Sequence, residues 1–221
     1  MTATADAVPP GRSGRTRLAL VDSTLHRLRV DGSFTAEQVA ADSGVSVATI
    51  YNRFSEGRDG LLAGAFDRVL DRLVVVSAEV LTVEVLLDRG LEETVRAMVD
   101  GLVEVFSEET LVMRAALARL PECRSLRDSF RHHEAEARAL NRRFVQLGQA
   151  AGHIVGSAPD ELADLLVIPG QGGNNPLLLG APARARLVRP LTTAIVAVPA
   201  PHVYGRSCPS PPPPSPPLPP A

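Results

Sequence analysis

Residues 35–54, TAEQVAADSGVSVATIYNRF, restrict the fold more than any other stretch of this chain. Thr35 and Gln38 have the spacing of a capping box, in which each side chain bonds the other residue's backbone N–H at a helix start. Ala36, Val39 and Ala40 follow at i, i+3 and i+4, one apolar stripe of a helix. Asp42-Ser43-Gly44 ends that helix, because Gly44 accepts a left-handed backbone that a Cβ would strain. Ser46 then stands where it caps a second helix over 47–54. Val45, Ile50 and Phe54 point back at the first helix. Two short helices set at a steep angle by a glycine turn make a helix-turn-helix.

In that motif the second helix enters the DNA major groove. Its outward residues here are Val47, Ala48, Thr49, Asn52 and Arg53. Small side chains let the helix approach base edges. Thr and Ala reach the thymine methyl, Asn pairs with adenine and Arg bridges guanine. The hydroxyls of Thr35 and Tyr51 suit phosphate oxygens, which position a protein without reading sequence. An ordinary helical hairpin with no nucleic acid has the same local pattern.

The wider set of residues separates these readings. Phe34-Thr35, Val39-Ala40, Gly44-Val45-Ser46, Thr49-Ile50-Tyr51-Asn52-Arg53-Phe54 and Leu61-Leu62 together resemble the TetR family of transcriptional regulators. The resemblance is strong over residues 15–73 and diffuse beyond. It implies an all-α homodimer with an N-terminal helix-turn-helix domain and a C-terminal helical domain for ligand binding and dimerisation. Most members are repressors that leave DNA when a small molecule binds. The resemblance implies DNA contact by Thr35, Ser46, Val47, Thr49, Tyr51 and Asn52. The family usually carries a lysine at the start of its fourth helix; here Arg58 is nearby, after a segment 55–60 that is one residue longer than usual.

Composition sets outer bounds. At 221 residues the chain can bury a sizeable core, and 45% apolar with 4% aromatic residues favours helix packing over a β-sandwich. The formal net charge of −2 means that any positive face comes from arrangement, not excess. Moderate DNA affinity with a clear salt dependence is therefore expected. Cys123 and Cys208 lie far apart without metal-ligand spacing, which suits a reducing cytoplasm. No signal peptide is evident, and no run approaches the roughly 20 apolar residues of a membrane span.

In chain order, residues 1–14 read as a disordered arm and 15–60 as the DNA-binding domain. A first helix over 17–30 carries the stripe Leu18, Val21, Leu25 and Leu28. Residues 61–198 read as the helical regulatory and dimerisation domain. Its helices are expected over 58–80 (entered from the head), 91–106, 110–120, 124–151 and 161–168, after a short or irregular element at 83–90. The 58–80 helix has Leu61, Leu62, Ala65, Val69 and Leu73 inward. The 124–151 helix shows a heptad-like seam of Leu126, Phe130, His133, Ala137, Leu140, Phe144 and Leu147. Pro169 is expected to break the next helix, and 184–198 to hold a last one interrupted by Pro190. Residues 199–221 form a proline-rich tail that cannot bury a core and favours extended polyproline II.

Other chemistry has little behind it. His132 and Glu136, at i and i+4, offer two ligands where a metal site needs more. Gln171-Gly172-Gly173-Asn174 follows no strand and lacks the Lys and Ser/Thr of a phosphate loop. No Ser/His/Asp or Cys/His set has meaningful spacing, so neither an enzyme nor a cofactor is expected. A pocket between the C-terminal helices is expected instead, lined by Met98, Leu102, Phe106, Met113, Leu117, Phe130 and Phe144. Its apolar wall suits a hydrophobic small-molecule effector. The expected partners are thus double-stranded DNA with a near-palindromic operator, a second copy of the chain, and that effector. The competing reading is a helical interaction protein that recruits a partner through its proline-rich tail.

Overall fold

The computed structural model describes residues 11–156, 158–172 and 181–197, and every regular element among them is helical. The order is α1 (Arg12–Asp31), α2 (Ala36–Asp42), α3 (Val47–Arg53), α4 (Arg58–Val80), α5 (Val83–Glu108), α6 (Thr110–Arg119), α7 (Arg124–Ala150), α8 (Pro159–Gly172) and α9 (Ala181–Ala197). The all-α fold with an N-terminal helix-turn-helix is therefore present as expected. No helix among the described residues is long and apolar enough to cross a membrane. Residues 1–10 of the expected arm and all of the proline-rich tail lie outside the described residues.

Local chemistry explains most boundaries. Thr35 Oγ1 accepts the Gln38 N–H at 3.2 Å, and Gln38 Oε1 accepts the Thr35 N–H at 2.8 Å, completing the capping box. Ser46 Oγ accepts the Thr49 N–H at 3.2 Å and so caps α3. Gly44, at φ +64°, makes the turn between them. Helix α1 starts earlier than its apolar pattern, at Arg12, so residues 12–14 are helical rather than part of an arm. Its buried face is Leu20, Val21, Thr24, Leu25 and Leu28; Leu18 lies at the edge of that face and is 40% exposed. Thr24 is tolerated inside because its hydroxyl donates to the Leu20 carbonyl at 2.8 Å.

The expected short element at 83–90 is a short helix capped by Thr82, and it ends at Gly90 (φ 77°, ψ 170°), a kink beyond which α5 continues to Glu108. A further expectation is corrected. Helix α8 does not stop at Pro169 but runs to Gly172, and α9 starts at Ala181 and contains Pro190. An internal proline removes one backbone hydrogen bond and bends the helix without abolishing it where neighbours hold both sides. Here α8 lies on α7, and α9 on α5.

The buried apolar residues form two clusters. The first joins the head to its support: Leu20, Leu28, Phe34, Val39, Ile50 and Phe54 pack with Leu61, Leu62, Phe66 and Val69 of α4, and continue into Val112, Met113 and Ala116 of α6 and Leu126 of α7. This cluster crosses residue 60 without a gap. The second unites α5, α7, α8 and α9 through residues such as Leu86, Val95, Val99, Phe144, Val145, Leu162 and Ile195. Polar links reinforce the head. Arg27 holds Asp42 with two hydrogen bonds of 2.6 and 2.8 Å, fastening α1 to the end of α2. The same guanidinium keeps the Asp42 carboxyl below the usual carboxylate range.

Candidate nucleic-acid interface and interior cavity

The residues expected to face DNA gather around α3. Thr35, Ser46, Ala48, Tyr51, Asn52, Arg53 and Arg58 are all exposed, whereas Thr49 is half-buried. Val47 is also half-buried and packs against the first apolar cluster, so its side chain is partly core. The Thr35 hydroxyl is committed to its cap, and Ser46 and Thr49 share a 3.0 Å hydroxyl contact. Asn52 and Ala48 are the outward residues of α3 with no structural duty in these contacts.

Three side chains are positioned by contacts that the sequence pattern does not display. Arg53 donates to Ser13 Oγ at 2.6 Å, and its carbonyl accepts Arg17 Nη1 at 3.0 Å. Arg17 in turn lies over the Phe54 ring, 4.2 Å from its centroid. Arg58 donates from Nε to the Phe34 carbonyl at 3.1 Å, with its guanidinium 4.9 Å from the Phe34 ring centroid. Each arginine is thereby braced at one edge and keeps donors free for a second acceptor. Tyr51 is 56% exposed, and its ring lies over Gly57. A Cβ on Gly57 would sit 2.5 Å from Tyr51 Cε1. Gly57 also adopts φ +54° with ψ −117°, backbone that effectively only glycine reaches. The segment between α3 and α4 thus closes through a residue that must be glycine.

Inside the body a cavity of about 120 Å³ lies among five helices. Leu70, Leu73, Val74 and Ser77 come from α4, Met98, Leu102 and Phe106 from α5, and Met113 from α6. Phe130, His133, Glu134, Ala137, Leu140 and Asn141 come from α7, and Leu166 and Val167 from α8. Five expected lining residues are therefore brought together: Met98, Leu102, Phe106, Met113 and Phe130. Two are not. Leu117 is half-buried one turn beyond Met113, past the stretch of α6 that lines the cavity. Phe144 is buried within the second apolar cluster and does not reach the cavity.

The expected lining named only apolar residues, although the 124–151 seam already included His133. His133 is buried; its Nδ1–H donates to the Ser129 carbonyl and its Nε2–H to Asp71 Oδ1, both at 2.9 Å. Since both acceptors lack protons to give, both ring nitrogens act as donors, which describes the imidazolium. Burial opposes that charge, but the Asp71 and Ser129 hydrogen bonds, with Asp67 nearby, hold the His133 pKa above its ordinary value. Asn141 carried a readable signal: it lies four residues after Ala137 and four before Val145, both inward-facing. His132 and Glu136 do approach to 3.4 Å, but no group of three or more metal-ligating side chains occurs among the described residues. Of the glycine-rich run 171–174, only Gln171 and Gly172 fall in a described helix, and Gly173 and Asn174 lie outside the described residues.

The head and body are tied by charged contacts at their seam. Glu109, at the corner between α5 and α6, is nearly fully buried and accepts from Arg29 of α1, at Nε 2.9 Å and also through Nη2, and from Arg72 of α4 at 3.3 Å. Arg119 of α6 donates to Asp59 of α4 at 2.8 Å. Ser125 of α7 bonds Glu56 beside the α3–α4 turn.

A helix-turn-helix head packed on a helical body with an apolar cavity between its helices defines the class of fold. This is the fold of TetR-family transcriptional regulators. A putative TetR-family regulator from Mesorhizobium loti superposes with a TM-score of 0.64 at 20% identity, covering 86% of this chain and 97% of that one. A TetR regulator from Haloarcula marismortui gives 0.63 at 17%, over 84% and 97%. A transcriptional regulator from Rhodococcus sp. Rha1 gives 0.61 at 23%, over 85% and 96%. No protein-family model matches the sequence, and no curated protein matches it.

Proposed function

We propose that this chain is a sequence-specific DNA-binding transcriptional regulator, acting as a homodimer and releasing its operator when an apolar small molecule enters the body. The observation that carries the reading is α3 itself. It is capped at its start, braced behind by Ile50 and Phe54, and presents Ala48, Tyr51, Asn52 and Arg53 to solvent beside Thr35 and Arg58. Nothing in the core needs those outward residues, and their chemistry matches base edges and phosphates. Residues 15–60 serve as the reading head and 61–198 as the regulatory body. Two heads in a dimer read two half-sites of a near-palindromic operator.

The cavity supports the effector half of the proposal, because α4 forms part of its wall and also carries the head. A molecule that separates α4 from α7 shifts the head through the α1–Glu109–α4 contacts and changes the spacing of the two reading helices. Among proteins of this fold, SmeT is described in complex with triclosan and FrrA as a flavonoid-responsive regulator. Release on effector binding makes the protein a repressor.

The test is a mobility shift of the purified chain with DNA from beside its own gene, against unrelated competitor. The expected result is a specific complex that weakens steeply with salt as phosphate contacts are lost. Absence of any specific complex, both there and after selection from random DNA, would overturn the proposal.

A further inference from the structure

The interior cavity contains a polar group that the fold leaves unanswered. Asn141 lines it from α7 and is only 8% exposed. Among the described residues its side-chain amide makes no hydrogen bond, either within α7 or to a neighbouring helix. The amide is not one of the fully buried polar atoms left without a partner, which among the described residues are Ser43 Oγ and Arg119 Nε, so it opens onto the accessible space of the cavity. The other polar members of the wall are differently placed. Both N–H groups of His133 are consumed by Ser129 and Asp71. Ser77 Oγ spends its proton on the Leu73 carbonyl at 2.9 Å. None of the described lining residues is Arg or Lys.

These facts define a guest. A carboxylate would find no free cationic donor in this wall, so an anionic ligand is disfavoured. The volume of about 120 Å³ is near that of an engineered apolar cavity of about 150 Å³ that takes benzene. An amide offers one acceptor and two donors, so it answers a hydroxyl or a carboxamide equally well. We infer that the cavity takes a neutral, single-ring aromatic molecule bearing one hydroxyl or carboxamide, with Asn141 as its polar anchor. The inference rests on reading the cavity as the effector site, and it narrows that effector to one chemical class.

The experiment is direct binding to the full chain, without DNA, by ligand-detected NMR and calorimetry with benzamide, phenol, toluene and benzoate. Benzamide and phenol are expected to bind roughly tenfold more tightly than toluene, and benzoate roughly tenfold or more weakly than benzamide. In Asn141→Leu the preference for benzamide over toluene disappears. If that variant does not fold, the ranking of the four probes on the wild-type chain still decides. Toluene binding as well as benzamide, no probe binding at all, or an unchanged ranking in Asn141→Leu would each overturn the anchor. Asn141-dependent binding by a protein that shifts no DNA would leave the anchor standing and remove the regulator reading. Operator binding by a protein that ignores all four probes would remove the anchor alone.

Discussion

Arg29 and Glu109 form an unequal pair, and the inequality predicts which partner is costlier to lose. Glu109 is 1% exposed, whereas Arg29 and Arg72 are 47% and 42% exposed. Arg29→Met strands a buried carboxylate whose remaining charged partner among the described residues is Arg72 at 3.3 Å. An unpaired buried charge costs about 3–5 kcal/mol; the residual Arg72 contact reduces this to about 2–3 kcal/mol. Glu109→Gln instead keeps the shape and frees two guanidiniums that can turn to water, and Arg72 retains Glu108 at 2.6 Å. Its cost is about 1 kcal/mol. For a chain of this size these values correspond to falls in thermal midpoint of roughly 4–12 °C and 2–4 °C. Urea denaturation followed by far-UV circular dichroism measures both variants. The double variant Arg29→Met/Glu109→Gln is the sharper test, because with no charge left to strand it should be more stable than Arg29→Met alone. If Glu109→Gln costs as much as Arg29→Met, or if the double variant is simply additive, the buried-charge argument fails.

Tyr51→Phe removes a hydroxyl assigned to phosphate and should weaken operator binding roughly fivefold with an unchanged salt slope; equal affinity at several salt concentrations would count against that role. Gly57→Ala imposes a Cβ at positive φ and against the Tyr51 ring, so a stability loss of about 1–3 kcal/mol by urea denaturation is expected. Operator affinity should fall further in Gly57→Ala than in Tyr51→Phe, because the whole ring is displaced. The raised His133 pKa means that the folded state binds the proton more tightly than the unfolded chain. Its contribution to stability is therefore complete below the unfolded histidine value of about 6.5 and is lost as pH rises through the folded pKa. Thermal midpoints measured from acid to alkaline pH should show that loss in the wild type and a flatter profile in Asp71→Asn.

What the sequence disclosed and what it hid follow from the range of the interactions involved. The head was legible because its determinants are local. The Thr35–Gln38 box, the Gly44 turn and the Ser46 cap each act within four residues, and the structure shows all three. Helix α4 was legible over its whole length, since Leu61, Leu62, Ala65 and Val69 repeat at helical spacing and are buried. The cavity was half legible: hydrophobicity identified Met98, Leu102, Phe106, Met113 and Phe130, but it could not distinguish lining from core, and Phe144 went to the core. The seam turned His133 inward and spacing could have done the same for Asn141, but their places in the cavity wall depend on packing between helices distant in sequence. His133 finds Asp71 across 62 residues, and Asn141 finds no partner among the described residues. The same limit applies to Arg29 and Glu109, which are 80 residues apart. Local pattern therefore reads out the part of the chain that would touch DNA, while the parts that tune the cavity and join it to the head are written in long-range pairs. On the proposed function, a substitution in α7 or at the α5–α6 corner should change effector response without altering any residue of the helix-turn-helix.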